Sequence, residues 1–363
     1  MHITVEHIEF KKALEIVARI STKHLTLPIL QCILLVVEKG TLTLTSTNLE
    51  IGIEATLQVQ EKTPGSVAVS ASTLLQTISL ISQKNIILSV NDGVLIIETP
   101  TSKSTINTIQ TNEFPSIPRI NKKPQIINGK MFSFGIKSSV FSASQSSIKP
   151  ELGSVYILQK KSQTLTFVAT DSFRLMEKTV PLQGVIFDSG ILIPYKNATE
   201  IAHVCDVLED NPTLSIDENQ CALTFKNYYI TSRLTNGSFP DYEQIIPKEY
   251  ITHTTILTKD LQNALKKTNI FLNKFMQLTL LVKENTITLK AGSGDVGSTT
   301  ETIPATTNGE DITLSFNQRY VAESLSHIID ESITLNFAGI GRPLVIEGVH
   351  DRSLRYLVMP MNK

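Results

Sequence analysis

Asp171 and Arg174 are the residues whose types and spacing first suggest chemistry. A carboxylate and a guanidinium three positions apart can serve as a catalytic acid and its electrostatic partner. No histidine stands near either residue in sequence. Thr170, Asp171 and Ser172 are small polar residues of the kind that bend the chain between two strands. The sequence therefore favours a bend-capping aspartate and an arginine in a binding pocket over a catalytic pair.

A glycine-rich segment at residues 292–297 suggests a second kind of chemistry. Gly292, Gly294 and Gly297 satisfy the dinucleotide pattern G-x-G-x-x-G and follow a strand-like run. A phosphate site of this kind needs a helix immediately after the glycines. The following residues are β-branched and end at Pro304, so the sequence predicts a strand there. A helix after Gly297 would instead indicate an enzyme that uses a nucleotide cofactor.

Cysteines and histidines show no pattern typical of a metal site or disulfide framework. Cys32, Cys205 and Cys221 are an odd number without Cys-x-x-Cys spacing. His203 and His327, two of seven scattered histidines, fall at ordinary helix positions. We predict reduced core cysteines, no metal and no cofactor.

Composition indicates a globular protein of two or three domains. The chain has 363 residues, of which 41% are hydrophobic and 18% charged. It contains no run of 18 apolar residues, and its first residues lack the pattern of a signal peptide, so we expect no membrane association and a cytoplasmic location. The net charge of −1 argues against a protein that holds nucleic acid by charge alone, although a local basic patch is compatible with it.

A repeat of about 123 residues organises the chain. The bend motif at residues 167–175 recurs at 42–51 and, in degenerate form, at 287–294. Second helices are predicted to begin at Ser70, Pro194 and Asn317, which are 124 and 123 residues apart. Each third reads β-α-β-β-β-α-β-β-β, an α+β domain, which gives three domains at residues 1–122, 127–248 and 252–363. Within the central motif, Thr166, Val168, Arg174 and Met176 are predicted to share one strand face.

The first helix of each third is predicted to be amphipathic and basic. In the first, the apolar face is Phe10, Leu14 and Val17 and the polar face is Lys11, Lys12, Glu15 and Arg19. In the last, the apolar face is Leu257, Leu261, Ala264 and Leu265 and the basic residues are Lys259, Lys266 and Lys267. If these helices face one way, they form an extended and weak track for phosphates.

Four ordered motifs resemble the bacterial sliding-clamp family, the beta subunits of DNA polymerase III. They are Thr26-Leu-Pro-Ile-Leu30, Ala169-Thr-Asp-Ser-Phe-Arg-Leu175, Asn236-Gly-Ser-Phe-Pro-Asp-Tyr242 and Tyr356-Leu-Val-Met-Pro-Met361. The resemblance covers the whole chain. It implies a non-catalytic processivity factor of three clamp domains, whose head-to-tail homodimer forms a six-domain ring with helices inside and sheets outside. The expected partners are encircled double-stranded DNA without sequence specificity, the polymerase alpha subunit, the clamp loader and other clamp-binding proteins.

The resemblance also implies three sets of site residues. The peptide-binding pocket would comprise Leu152, Thr170, Arg174, Leu175, Pro240, Ile245, Phe275, Asn317, Tyr320, Pro343, Val358, Met359, Pro360 and Met361. The DNA-facing residues would be Lys11, Lys12, Arg19, Lys23, His24, Lys137, Lys149, Lys259, Lys266 and Lys267. The dimer interface would include Ser104, Ile106, Ile270 and Phe271.

Several positions depart from the family pattern and leave alternatives open. Ser172 and Phe173 stand where glycine and histidine are common, and Gln244 and Asn362 stand where basic residues are common. Ser104 replaces an aromatic residue. Peptide preference and dimer strength are therefore not predicted. The rival readings are a β-rich repeat scaffold that does not encircle DNA and an enzyme built on the glycine-rich segment.

Overall fold

The computed structural model describes residues 1–21, 27–187 and 189–361, which form two compact units. Unit 1 comprises Met1–Ser133, Gln183–Ile186 and Lys196–Leu234. Unit 2 comprises Phe134–Leu182, Phe187–Tyr195 and Thr235–Lys363. Within the described ranges, no helix has the length and apolar character needed to cross a membrane.

The first third of the chain contains two helices and nine strands. Their bounds are β1 (His2–Glu6), α1 (His7–Val17), β2 (Cys32–Glu38), β3 (Thr41–Thr47), β4 (Ile51–Gln58), β5 (Gln60–Thr63), β6 (Gly65–Ser70), α2 (Ala71–Ser79), β7 (Asn85–Asn91), β8 (Val94–Glu98) and β9 (Lys103–Ile109). Short 3-10 turns follow α1 at Ala18–Ile20, precede β2 at Pro28–Gln31 and follow β9 at Thr111–Glu113.

The central third repeats this order. Its elements are β10 (Gln125–Ile126), α3 (Gly129–Ser139), β11 (Ser154–Leu158), β12 (Thr164–Thr170), β13 (Arg174–Pro181), β14 (Ile191–Pro194), α4 (Tyr195–Leu208), β15 (Thr213–Ile216), β16 (Gln220–Thr224) and β17 (Tyr228–Arg233). A 3-10 turn at Val140–Ser142 follows α3, and another at Tyr242–Ile245 lies in the connection to the last third.

The last third has the same succession of elements. They are β18 (Thr252–Leu257), α5 (Thr258–Thr268), β19 (Gln277–Lys283), β20 (Thr286–Ser293), β21 (Gly297–Pro304), β22 (Thr306–Gly309), β23 (Ile312–Asn317), α6 (Gln318–Ser324), β24 (Ser332–Phe337), β25 (Leu344–Gly348) and β26 (Leu354–Val358). A 3-10 turn at Asn269–Phe271 follows α5.

The strands form one sheet in unit 1 and two in unit 2. Unit 1 holds a 13-stranded sheet in the order β10-β15-β16-β17-β4-β3-β2-β6-β9-β8-β7-β1-β5. Unit 2 holds a nine-stranded sheet, β14-β11-β12-β13-β26-β25-β24-β18-β22, and a four-stranded sheet, β21-β20-β19-β23. In both large sheets, strands of consecutive thirds pair directly, β4 with β17 and β13 with β26. Each large sheet thus continues from one third of the chain into the next.

The predicted α+β class is confirmed, but the predicted strand count is wrong by one. Each third has four principal strands between its helices instead of three, with the short strands β5 and β22 in addition. Successive strands are separated by brief polar turns, for example residues 171–173 between β12 and β13. Because neighbouring short strands have the same period, the sequence does not separate them reliably.

The predicted shared face in the central motif is also wrong. Val168 pairs with Glu177, whereas Met176 pairs with Ala169. Side chains of paired residues point to the same side of a sheet, so Val168 and Met176 lie on opposite faces. The bend between the strands sets this register, which the alternation within each strand does not reveal.

The amphipathic pattern of the first helices is largely confirmed. Phe10, Leu14 and Val17 are fully buried in unit 1, and Leu261 and Leu265 are buried in unit 2. Leu257, which we predicted on the apolar face of α5, is instead the last residue of β18 and is 53% exposed. The strand alternation turns it outward before the helix begins.

The cysteines and the glycine-rich segment have structural roles. Cys32, Cys205 and Cys221 are buried, as predicted, and are not joined in disulfides, and burial raises the pKa of Cys205 and Cys221 to about 12. Residues 294–296 form the turn between β20 and β21, which pair along their whole length. Since a strand follows Gly297, the segment lacks the helix N-terminus of a dinucleotide site.

Close packing of α3 on β12 requires the absence of a side chain at Gly135. A Cβ atom there would lie 2.4 Å from the Phe167 ring. We expect Gly135→Ala to lower the free energy of unfolding by about 1–3 kcal/mol, measured as the shift of the urea midpoint, because overpacking displaces a buried ring. Gly294→Ala is the control, since a Cβ at Gly294 meets no atom within 4 Å. Equal midpoints for the two variants would contradict this packing.

Candidate functional site

The bend between β12 and β13 is held by its own side chains. Thr170 Oγ1 donates to the Arg174 carbonyl at 2.6 Å, and Asp171 Oδ1 accepts the N–H groups of Phe173 and Arg174, both at 3.0 Å. Ser172 has a φ of +77°, and its N–H donates to Thr170 Oγ1 at 3.2 Å. This geometry, predicted as a bend-capping aspartate, places Arg174 at the first position of β13.

Arg174 is the central residue of the site. Only 8% of its surface is exposed. Its Nε donates to Asp171 Oδ2 at 3.0 Å, its Nη2 donates to the Phe141 carbonyl at 2.7 Å, and its Nη1 donates to Glu323. The guanidinium carbon also lies 4.5 Å from the ring centroid of Tyr320. A planar group with a fixed fork of donors is therefore bound on several sides.

The carboxylate of Glu323 connects Arg174 to the surface of α6. Its Oε1 accepts from Arg319 Nε at 2.5 Å, while its other oxygen accepts from Arg174. Burial alone would raise the pKa of Glu323, but the hydrogen bonds from Arg319 and Arg174 outweigh it and lower the pKa. Burial likewise raises the pKa of Tyr320, with the charge of Asp171 acting in the same direction. Near neutral pH, Glu323 is therefore ionised and Tyr320 is neutral.

The end of the described chain completes the site. Arg174 is paired with Val358 across β13 and β26. The Met359 N–H then donates to the Phe173 carbonyl at 2.8 Å, and the Met361 N–H donates to the Ser315 carbonyl at 2.7 Å. This segment therefore runs from the start of β13 to β23 and carries both predicted methionines with it.

The remaining predicted pocket residues divide into buried and exposed groups. Thr170, Leu152, Leu175 and Val358 are buried at 6%, 6%, 1% and 0% exposure, whereas Ile245 and Phe275 are 50% and 60% exposed. Asn317 caps α6 by accepting the Arg319 N–H at 3.0 Å, which places Tyr320 on the first turn of that helix. Pro343 and Pro360 are half-buried, and Pro240 is exposed on the connection between β17 and β18.

The predicted pocket residues thus combine a buried polar network around Arg174 with apolar side chains, some of them buried and some exposed. Such an arrangement suits a peptide whose apolar side chains are buried while a few polar groups orient its backbone. Phe173, 61% exposed, adds apolar surface at the bend. Asn362, a departure from the family pattern, lies outside the described residues.

Sequence reasoning missed Glu323 and Phe141, which hold the arginine. A general rule was available, because an arginine predicted inside a pocket requires a carboxylate partner. The sequence did not show which carboxylate bonds Arg174 in addition to Asp171, since Glu323 lies 149 residues from Arg174.

Eight of the ten predicted DNA-facing residues are described by the structure, and these lie on helices or loops. Lys12, Lys137, Lys149, Lys259 and Lys266 are exposed, and Lys11 is half-buried. Arg19 Nε is 2.6 Å from Glu200 and Lys267 Nζ is 2.9 Å from Glu301, so part of this charge is locally neutralised. Lys23 and His24 lie outside the described residues.

The predicted interface residues differ in exposure. Ser104 and Ile106 lie on β9, where Ser104 is half-buried and Ile106 is only 6% exposed. Ile270 is 66% exposed and Phe271 is half-buried on the 3-10 turn after α5. Ile106 therefore packs mainly inside unit 1.

The three hydrogen bonds that the Arg174 guanidinium donates can be tested by substitution. Arg174→Lys keeps the charge but cannot bond Asp171, Glu323 and the Phe141 carbonyl together, so we expect a lower melting temperature and about 1–3 kcal/mol less stability. Arg319→Lys is the matched control, because Arg319 also contacts Glu323 but is mostly exposed. It should change stability by less than about 0.5 kcal/mol. An unchanged melting temperature in Arg174→Lys would show that the buried hydrogen bonds of Arg174 contribute little to stability.

Solved structures and relatives resemble this chain over its full length. A structure of the DNA polymerase III beta chain from Streptococcus pneumoniae has a TM-score of 0.95 at 23% identity, and one of the beta subunit from Thermotoga maritima has 0.94 at 23%. Each covers 100% of this chain, and 100% and 99%, respectively, of the solved chain is matched. The beta sliding clamps of Halalkalibacterium halodurans and Synechococcus elongatus are 27% and 25% identical, covering 98% and 99% of both chains.

Family matches follow the threefold repeat. Residues 1–118 match the N-terminal domain of the DNA polymerase III beta subunit, residues 126–241 its central domain and residues 243–362 its C-terminal domain. The three matches occur in the family's order and leave only short gaps. The chain therefore consists of three clamp domains and belongs to the DNA polymerase III beta subunit family, the bacterial sliding clamps.

Proposed function

We propose that this protein is the processivity factor of a DNA polymerase III, a ring-shaped clamp that encircles duplex DNA and tethers the polymerase to it. The observation that carries the proposal is the match of all three thirds, in order, to the three domains of the beta subunit. Its domains span residues 1–122, 127–248 and 252–363. It is non-catalytic and cytoplasmic, and it needs no metal or cofactor.

Ring closure follows from the repeated strand junctions. Within unit 1, β4 pairs with the last strand of the next third, β17, and within unit 2, β13 pairs with β26 in the same way. The corresponding strands lack such a partner within the described chain: β21 is an edge strand, and β9, which meets β6 only at Thr108 and Ile109, is paired along residues 103–107 with β8 alone. We infer that β21 of one copy pairs with β9 of a second, which gives a head-to-tail homodimer, with Ser104, Ile270 and Phe271 nearby. Pairing of exposed edges also removes a site for aggregation.

DNA is held by enclosure more than by charge. The net charge is −1, and several of the basic residues already have carboxylate partners. Weak and scattered contacts suit a ring that must slide without sequence preference, because each neutralised phosphate contributes only a salt-sensitive part of the affinity. The proposed contacts are Lys11, Lys12, Arg19, Lys23, His24, Lys137, Lys149, Lys259, Lys266 and Lys267.

Partner proteins dock at the site around Arg174 in unit 2. We assign peptide binding to its predicted residues because the set combines buried polar groups around Arg174 with exposed apolar side chains at Ile245 and Phe275. The polymerase alpha subunit, the clamp loader and other clamp-binding proteins share this pocket. A repeat scaffold that does not encircle DNA is the alternative, and retention on circular DNA separates the two.

Topological retention is the first expected outcome. Clamp loaded on nicked circular DNA should stay bound in about 0.5 M salt, since enclosure does not depend on the phosphate contacts that salt weakens. Linearising the circle should release it within minutes. The measurement is co-elution of clamp and DNA in gel filtration before and after cleavage. Equal loss from circular and linear DNA at this salt concentration would show an ordinary electrostatic binder.

A head-to-tail dimer, with β21 of one copy beside β9 of the other, is the second expected outcome. Counted from the first pair of the preceding hairpins, Ser298 on β21 occupies the position of Ile53 on β4, and Ser104 on β9 that of Ile230 on β17. Ile53 and Ile230 are paired in unit 1. A mixture of Ser104→Cys and Ser298→Cys proteins should therefore give a dimer of about twice 40.1 kDa with a short bis-maleimide cross-linker.

Each single variant alone is the control. In a head-to-tail dimer, residue 104 faces residue 298 and never its own copy, so neither variant alone should be cross-linked. The native cysteines are buried and do not compete. Cross-linking of Ser104→Cys with itself would indicate a different interface.

A further inference from the structure

The connection between β17 and β18 is anchored to the sheet of unit 2 by aromatic and charged groups. Phe239 stacks on Tyr156 with ring centroids 4.8 Å apart, and Tyr242 meets Phe239 edge-on at 6.0 Å. Tyr242 is 5% exposed and packs in one cluster with Leu175 and Leu357. We call residues 239–250 the connector.

Glu177, on β13, is the polar anchor of the connector. Its carboxylate accepts from Tyr242 Oη at 2.6 Å and from Lys160 Nζ at 2.7 Å. Lys160 also binds Glu243 at 2.7 Å, so two consecutive connector residues are tied to one carboxylate. Arg355, the cross-strand neighbour of Glu177, is 3.7 Å away. Burial raises the pKa of Tyr242, and the hydrogen bond to Glu177 raises it further, so the phenol stays a donor.

Unit 1 contains the equivalent carboxylate. Glu54 lies three residues after the first residue of β4, as Glu177 does on β13. It forms an ion pair with Arg119, which belongs to the connection that follows β9. The guanidinium of Arg119 lies 4.0 Å from the ring centroid of Tyr229, whose hydroxyl donates to the Pro118 carbonyl at 3.1 Å. Each unit therefore contains a carboxylate, Glu54 or Glu177, that binds the connection following the last strand of its own third of the chain.

The two copies differ in what the anchored segment carries. Pro240 and Ile245 flank Tyr242 and Glu243 in the connector, and both are residues of the proposed peptide pocket. Neither belongs to a strand: Ile245 ends a single 3-10 turn, and Pro240 precedes it. Ladder hydrogen bonds therefore do not fix their positions, and the anchor at Tyr242 and Glu243 must do so.

We propose that Glu177 is a positioning residue for peptide binding: by holding Tyr242 and, through Lys160, Glu243, it sets the place of the Pro240 and Ile245 wall of the pocket. The inference rests on the proposed peptide-binding function. Glu177 acts through its contacts with Tyr242 and Lys160. A wall placed in advance lowers the ordering cost of binding, so loosening it weakens affinity without removing any peptide contact.

The test replaces the anchor while leaving each neighbouring cation a carboxylate partner. In Glu177→Gln, Lys160 keeps Glu243 and Arg355 keeps Glu347 at 3.0 Å, so neither cation loses its only carboxylate. The probe is a fluorescein-labelled eight-residue peptide with one leucine and one phenylalanine, taken from the polymerase III alpha subunit of the same organism. We expect its Kd, measured by fluorescence anisotropy, to rise about fivefold to tenfold.

Glu54→Gln is the matched control. It weakens the equivalent anchor in unit 1, where no peptide-pocket residue is carried, and should leave the Kd within about twofold while lowering the melting temperature about as much as Glu177→Gln does. Equal loss of affinity in both variants would mean that general destabilisation, and not positioning, is measured, and would overturn the proposal.

A double-mutant cycle with Ile245→Ala tests the route of the effect. If Glu177 acts through the wall, the double variant should bind no more than about twofold weaker than the weaker single variant, because both changes remove the same element. Multiplication of the two single effects would overturn the proposal.

Arg174→Ala separates this inference from the function on which it rests. A peptide that binds the wild-type protein, is lost in Arg174→Ala and binds Glu177→Gln normally overturns the positioning role alone. A peptide that fails to bind the wild-type protein overturns the proposed pocket.

Discussion

The antiparallel pairing of strands from consecutive repeats is the constraint on which the rest of the structure depends. β4 pairs with β17 and β13 with β26, each time between the strand after the bend and the last strand of the next repeat. The second pairing sets Arg174 opposite Val358 and so brings Met359 to the bend. A slip of one residue would turn every side chain of β26 to the other face, which would destroy core and site together.

Local features were predictable from the sequence because their causes are local. The buried faces of α1, the capping of the bend by Asp171 and the strand after Gly297 follow from period, side-chain chemistry and β-branching. The faces of Val168 and Met176 and the exposure of Leu257 were not predictable in the same way. They depend on the length of a bend and on where a strand becomes a helix, which is known only to within a few residues.

The site shows the same division. Resemblance to a family supplied Arg174 and Met361. The structure added Glu323, which with Asp171 neutralises the arginine, and the Phe141 carbonyl, which orients it. Asp171 is close to Arg174 in sequence, but Glu323 and Phe141 come from other elements, and only the fold identifies Glu323 as the second carboxylate.

The two carboxylate anchors show that equivalent contacts can be made by exchanged residues. At Glu54 the connecting segment supplies arginine and the neighbouring strand tyrosine, whereas at Glu177 the segment supplies tyrosine and the strand arginine. A carboxylate accepts a hydrogen bond from either side chain, so either residue of the segment can anchor it. A position-by-position comparison of the two repeats would therefore count two mismatches where both units make the same contact between segment and strand.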